Sequence, residues 1–231
     1  MSVPLFLVPS LDIDVVDGAE GHHAADVMRL RVGEALLLGD GRGGTASAVV
    51  KAVGKGRLEV SIVDSWYADP PAPRLVVVQG IAKGDRGELA VQAMTEVGVD
   101  EIVPWAAARS VVRWKDGRPL ERWRATAREA AKQARRAWLP DVSAPVSTAP
   151  LAPRVTFVLH EAATAPLSTV DIPAGPEIVL VVGPEGGVAP EELGTFIDAG
   201  ARPVRLGGTV LRTSTAGVAA LSVLSARLGR W

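Results

Sequence analysis

No cysteine occurs among the 231 residues, so neither a disulfide framework nor a thiolate metal site can form, and a cysteine nucleophile is excluded. Three histidines leave little for zinc. No apolar run approaches the ~20 residues that span a bilayer. The amino end also lacks the charged and apolar regions of a signal peptide. A cytoplasmic protein with neither membrane nor metal among its partners is expected. The phosphate-cradling GxxxxGK[ST] pattern is absent. So is GxGxxG after an early strand with an acid about 20 residues on, which argues against nucleotide triphosphatases and dinucleotide-dependent oxidoreductases. There is no internal repeat.

What the chain does have is apolar content of 48%, enough for one good core and a smaller one. Leu5 to Val8, Ala35 to Leu38, Ala46 to Val53 and Leu58 to Val63 read as short strands between Gly and Asp turns. Residues 1–68 are expected to form a small β-barrel. Asp69-Pro70-Pro71-Ala72-Pro73 reads as a stiff linker, because successive prolines favour extended geometry. Residues 74–231 then alternate strand and helix, the pattern of an α/β parallel sheet. The expected elements are strands Leu75 to Ile81, Glu101 to Pro104, Val155 to Leu159, Ile178 to Val182 and Val204 to Leu206, and helices Glu88 to Val97 and Gly217 to Leu228. The stretch from Pro140 to Pro153, with four prolines, is expected to be an exposed connection.

Two glycine loops follow two of these strands. Ile178 to Val182 runs into Gly183-Pro184-Glu185-Gly186-Gly187. Later comes Leu206-Gly207-Gly208-Thr209-Val210-Leu211-Arg212-Thr213-Ser214-Thr215-Ala216, where Thr213 or Ser214 is placed to cap a long helix. Glycines at the carboxyl ends of parallel strands let backbone approach a ligand closely, and that is where α/β sheets bind.

This pair of loops resembles the carboxyl-terminal signature of the SPOUT methyltransferases. More narrowly, it is similar to the bacterial 16S ribosomal RNA uridine-N3 methyltransferase family, often called the RsmE family. Further segments follow the same order: Gly21-His22-His23 with Val27-Met28-Arg29-Leu30-Arg31-Val32-Gly33-Glu34, then Lys83-Gly84-Asp85-Arg86, Thr95-Glu96-Val97-Gly98, Arg109-Ser110-Val111-Val112-Arg113 and Leu159-His160-Glu161. The resemblance implies a SPOUT-type knotted parallel-sheet methyltransferase domain behind a PUA-like β-barrel that binds RNA. It also implies a homodimer, S-adenosyl-L-methionine as methyl donor, and small-subunit ribosomal RNA or the assembled small ribosomal subunit as partner. The acidic residue frequent between the last loop's threonines is Ser214 here, so no carboxylate base stands at that place.

The resemblance assigns cofactor binding to Leu159, His160, Gly183, Glu185, Gly186, Gly187, Leu206, Gly207, Val210, Leu211, Thr215 and Ala216. Arg212 is the candidate catalytic cation, stabilising charge on the uracil oxygens as N3 is methylated; a salt bridge to Glu185 that holds the loop is its alternative. Glu185 is a proton acceptor or, preferably, a loop anchor. His23 is a barrel residue or an RNA contact.

Net charge is −1, but ten Lys and Arg against three acids fall between Arg109 and Arg136. Arg124, Arg128, Lys132 and Arg136 recur every four residues, one face of a helix, with Trp123, Ala127, Ala130, Ala134 and Trp138 toward the other. A solvated face is the plainer use of such a stripe. One dominant sign instead suits a phosphate backbone. The RNA-contact candidates are accordingly His23, Arg29, Arg31, Arg109, Arg113, Arg124, Arg128, Lys132, Arg135 and Arg136. A non-catalytic RNA-binding or ribosome-assembly factor of the same fold remains the alternative function.

Overall fold

A computed structural model describes residues 3–231; Met1 and Ser2, at the start of the expected first domain, lie outside the described residues. The chain divides into two units. One comprises the residues up to Pro70 together with Ala131–Leu139, and the other comprises Pro71–Ala130 and Pro140–Trp231.

The first unit contains strands β1 (Leu5–Leu7), β2 (Val15–Val16), β3 (Ala35–Gly39), β4 (Gly44–Gly54) and β5 (Arg57–Tyr67), with helix α1 (Gly18–His22) continuing into a π-helical turn at His23–Val27. They form one sheet in the order β1-β3-β4-β5-β2. Its end strands β1 and β2 are not paired with each other among the described residues, so hydrogen bonding does not close the sheet into the expected barrel. Alternate residues of β4, Ala46, Ala48 and Val50, are buried beside Phe6, Leu36, Leu38 and Leu58, as period-two patterning requires. A two-residue turn joins β4 to β5, with Gly56 in the left-handed region at φ +68°. α1 lies so close to this hairpin that a Cβ on Gly21 would stand 2.6 Å from the Gly56 carbonyl oxygen. The segment 131–139 is tied into the same unit: the Trp138 indole N–H donates to the Ala68 carbonyl (2.9 Å), and the Leu139 amide donates to that of Gly41 (3.0 Å). No linker-like composition announces this return.

The second unit is built on a parallel sheet, β11-β9-β10-β6-β7-β8. Its strands are β6 (Arg74–Gly80), β7 (Glu101–Trp105), β8 (Asp141–Val142), β9 (Phe157–Leu159), β10 (Glu177–Val182) and β11 (Arg202–Val204). Both faces are covered, which explains the uninterrupted apolar runs of β6 and β10. Leu75, Val77, Ile178, Leu180 and Val182 point into one core with α2 (Arg86–Glu96), α3 (Arg118–Gln133) and α6 (Thr213–Arg227). Val76, Val78, Val179 and Val181 point into the opposite core with α4 (Thr148–Leu151), a 3-10 turn at Ala152–Arg154 and α5 (Pro190–Asp198). Gly217, Ala220, Leu221 and Leu224 are buried, so the apolar stripe of α6 serves the core. From β6 the chain builds outward through β7 and β8, whereas β9, β10 and β11 lie on the other side. The β6/β10 border is therefore a topological switch point, where open α/β sheets place their ligands.

In the second unit α5, β8, α4 and the end of β11 differ from the sequence expectation. α5 is an addition, begun by Pro190 at its first position and Glu191 and Glu192 in its first turn, both favourable at a helix N-terminus. The stretch 140–153 is not merely an exposed connection, because β8 and α4 lie in it and Val142 and Leu151 are buried. β11 ends at Val204 rather than Leu206, which leaves Arg205 and Leu206 to start the second glycine loop.

Candidate active site

The first glycine loop leaves β10 at Gly183 and turns back through a bond from the Gly187 amide to the Pro184 carbonyl (2.9 Å), with Gly187 at φ +74°. It fits tightly against β6: a Cβ on Gly80 would stand 2.5 Å from the Pro184 nitrogen. Glu185 accepts from the Lys83 amide (3.0 Å) and from Arg86 Nη1 (3.2 Å). Partial burial pushes the Glu185 carboxyl upward, but hydrogen bonds from its own amide, the Lys83 amide and Arg86 outweigh it and hold the group below the usual glutamate range. Glu185 is thus built as an ionised anchor, and its cation is Arg86 rather than Arg212. Arg109 Nη1 donates to the Gly186 carbonyl (3.2 Å), fixing the far side of the turn.

The second loop is fastened to the first by Thr213 at the start of α6. Its hydroxyl donates to the Gly183 carbonyl (2.8 Å) and accepts from Gln79 Nε2 (2.9 Å). Neither Thr213 nor Ser214 caps α6 with its side chain, and Arg212 occupies the N-cap position.

Between the loops lies a cavity of about 500 Å³ at the carboxyl ends of β9, β10 and β11. Leu159, His160, Gly183, Glu185, Gly186, Gly187, Leu206, Gly207, Val210, Leu211 and Ala216 line it, together with Arg109 and Arg212. Thr215 does not line it. Its hydroxyl instead bonds the Arg212 carbonyl within the first turn of α6 (3.2 Å). Arg86, Glu161 and Arg205 line the cavity without having been given a site role from sequence, although Arg86 and Glu161 belong to the segments that carry the resemblance.

Residues 207–211 make no hydrogen bond among the described residues, backbone or side chain. These five residues are exposed along the cavity wall, so their N–H and C=O groups are open to solvent or to a ligand. A Cβ on Gly207 or Gly208 would meet nothing within 4 Å, which leaves the wall bare there. Leu159, Leu206, Val210 and Leu211 add apolar surface. Bare backbone beside an apolar slot suits S-adenosylmethionine, whose adenine needs flat apolar cover and edge hydrogen bonds; the residues present fit that group.

Arg212 is exposed at this wall, and its guanidinium has no ion-pair or hydrogen-bond partner among the described residues. The His160 ring also faces the cavity; its Nδ1 accepts from the Ala162 amide (3.3 Å), which places the ring proton on Nε2. His23 is elsewhere, half-buried and edge-on to Phe6 (6.0 Å), a packing residue of the first unit.

The basic stripe is not the continuous face that four-residue spacing suggests. Arg124 and Arg128 are exposed, and Arg124 is bonded to Glu121 (2.8 Å) and to the Val142 carbonyl (3.1 Å). Lys132 is only 7% exposed and pairs with Glu20 (3.0 Å), so it belongs to the interior of the first unit rather than to an RNA surface. α3 ends at Gln133, which takes Arg135 and Arg136 off its face and leaves Ala134 exposed. Arg29, Arg31, Arg113 and Arg135 are exposed cations whose side chains are unpaired among the described residues. Among the described residues no group of three His, Asp or Glu converges as a metal site, and no helix is long and apolar enough to cross a membrane.

Comparison with known proteins identifies the family. Residues 69–225 match the RNA methyltransferase domain family, and residues 16–63 match the RNA methyltransferase PUA domain. Ribosomal RNA small subunit methyltransferase E of Mycobacterium bovis is 44% identical, over 100% of this chain and 94% of its own length. The Bacillus subtilis protein of the same description is 30% identical, over 91% and 88%. The crystal structure of ribosomal RNA small subunit methyltransferase E from Neisseria gonorrhoeae, bound to S-adenosyl methionine, superposes with a TM-score of 0.88 at 27% identity, covering 98% of both chains. With the two glycine loops, the parallel sheet and the amino-terminal sheet module all in place, the chain belongs to the ribosomal RNA small subunit methyltransferase E family of RNA methyltransferases.

Proposed function

We propose that the protein transfers a methyl group from S-adenosylmethionine to N3 of a uridine in small-subunit ribosomal RNA. The observation that carries this is the cavity wall 207–211, with its unpaired backbone, ending at the unpaired cation Arg212. When bound, S-adenosylmethionine supplies an activated methyl group. The chain's own task is to orient the uracil and favour loss of its N3 proton. As that proton passes to solvent water, charge spreads to the uracil oxygens, and Arg212 at the cavity rim is the group to stabilise it. Glu185, paired with Arg86, holds the loop rather than taking the proton. Gly207 and Gly208 keep the wall clear, and Leu159, Leu206 and Leu211 cover the adenine.

The PUA-type module and the exposed cations Arg29, Arg31, Arg113 and Arg135 supply the phosphate contacts that position RNA. The protein acts in the cytoplasm as a homodimer. Val210, 75% exposed on the cavity wall, is apolar surface that a second copy would cover. Calorimetric titration with S-adenosylmethionine, followed by transfer of labelled methyl to small-subunit RNA, tests the reading. One-site binding with transfer supports it, and binding without transfer to any RNA overturns it.

A further inference from the structure

A second cavity, of about 360 Å³, lies in the same unit and takes no part in the site above. Trp114, Trp123 and Pro119 form its apolar wall, and Asp85, Glu88 and Arg122 its polar one. The two indoles stand perpendicular, 5.0 Å between centroids. The Trp123 side chain is largely buried, and its Nε1–H makes no hydrogen bond among the described residues. That nitrogen lies beside Gly87, another residue of the cavity wall, where a Cβ would be 2.9 Å from it. Arg122 Nε donates to Glu88 Oε1 (3.1 Å) and so orients that carboxylate. Asp85, at the N-cap of α2, makes no side-chain cap bond, and its carboxylate is unpartnered among the described residues. The cavity therefore offers an aromatic wall, one unpaired indole N–H and two carboxylate acceptors.

We propose that this cavity binds a guanine base of the RNA substrate, in a nucleotide close to the target uridine; the inference rests on the methyl-transfer reading for its RNA. Guanine presents two N–H donors, N1 and N2, beside the O6 acceptor. That edge matches carboxylates next to an indole N–H. Uracil would set a carbonyl against a carboxylate, and adenine lacks the second donor. Single-stranded RNA is read in this way, by bases stacked on aromatic rings and bonded along their edges. Position supports the assignment. Arg86 lines the methyl-transfer cavity, while its neighbours Asp85 and Gly87 line this one, so the first turn of α2 borders both. Arg113 and Lys115, exposed and unpaired among the described residues, flank Trp114 in the chain and suit the adjoining phosphates.

The test uses the full chain, ¹⁵N-labelled at its indoles, titrated with two short single-stranded RNAs that differ only in one guanine replaced by adenine. The guanine RNA should shift the Trp114 and Trp123 indole signals saturably and bind about tenfold more tightly than its partner, the usual discrimination of a good paired edge contact. Asp85→Asn should erase that preference, and Trp114→Phe should retain it where Trp114→Ala loses it, with S-adenosylmethionine affinity unchanged as the check on folding. Equal affinity for both RNAs, or saturable binding that leaves both indole signals in place, overturns the proposal. GMP alone binding as tightly as the guanine RNA would also overturn it, by identifying a free-nucleotide site. If the wild-type protein discriminates guanine but transfers no methyl group, the methyl-transfer reading falls and this one stands.

Discussion

The hydroxyl of Thr213 donates to the carbonyl oxygen of Gly183 across 2.8 Å, joining two loops thirty positions apart in the chain. Because the same hydroxyl accepts from Gln79 on β6, one buried side chain holds both walls of the cavity to the central sheet. Thr213→Val keeps the shape and removes the hydroxyl, taking the donor from the Gly183 carbonyl and leaving the buried Gln79 amide only its longer bonds to the Gly80 and Thr213 carbonyls (3.3 and 3.4 Å). We expect a loss of about 2 kcal/mol in stability and weaker binding of S-adenosylmethionine. Thr213→Ser should restore both, as read by thermal denaturation and calorimetry.

Arg212→Ala should leave cofactor affinity unchanged and lower kcat about a hundredfold or more, the usual consequence of removing a fixed group that stabilises a developing oxyanion. Wild-type turnover in this variant would end the catalytic assignment. Its lack of a protein partner predicts that folding stability will not change.

Two glycines of the site should fail differently. Gly207→Val adds a side chain where no protein atom stands within 4 Å, so the fold should tolerate it while cofactor binding is lost. Gly80→Ala drives a Cβ into the Pro184 ring and should lower the melting temperature itself.

Acid should act at the opposite end of the sheet. Arg154 donates to Glu177 through Nε (3.0 Å) and Nη2 (2.9 Å), and these bonds hold the Glu177 carboxyl below the usual range against the opposing effect of partial burial. A carboxyl depressed in the folded state stabilises it above the unfolded value, and this contribution is lost as pH falls through the folded value. Stability should therefore decline below the ordinary glutamate value of about 4.3. Glu177→Gln should make that decline shallower in denaturant titrations run at successive pH values.

Lys132 and Arg113 separate interior from surface charge. Lys132→Met leaves the Glu20 carboxylate without its cation in a buried place and should destabilise by about 3 kcal/mol. Arg113→Glu should leave stability alone, weaken RNA binding and reduce its salt dependence. The reverse pattern would return Lys132 to the RNA surface.

How much of this was legible in the sequence depended on how local each signal was. β6 and β10 could be read because strands buried on both faces are unbroken apolar runs. The cavity could be placed because glycine-rich turns followed such strands. Lys132 misled because helical spacing assigns a face without saying what covers it, and Glu20 arrives from far upstream. Thr215 misled for the opposite reason: a motif residue next to the cavity was serving its own helix. Trp123 was assigned correctly to a packing face, but nothing in its spacing showed an indole N–H without an acceptor.

The most direct measurement incubates the protein with radiolabelled S-adenosylmethionine and undermethylated small ribosomal subunits, digests the RNA and identifies the labelled nucleoside by mass spectrometry. Label recovered as 3-methyluridine, and lost with Arg212→Ala, is the expected result. Tight subunit binding with no label, or label in any other nucleoside, would contradict uridine-N3 methyl transfer; the first outcome would make the chain a ribosome-assembly factor.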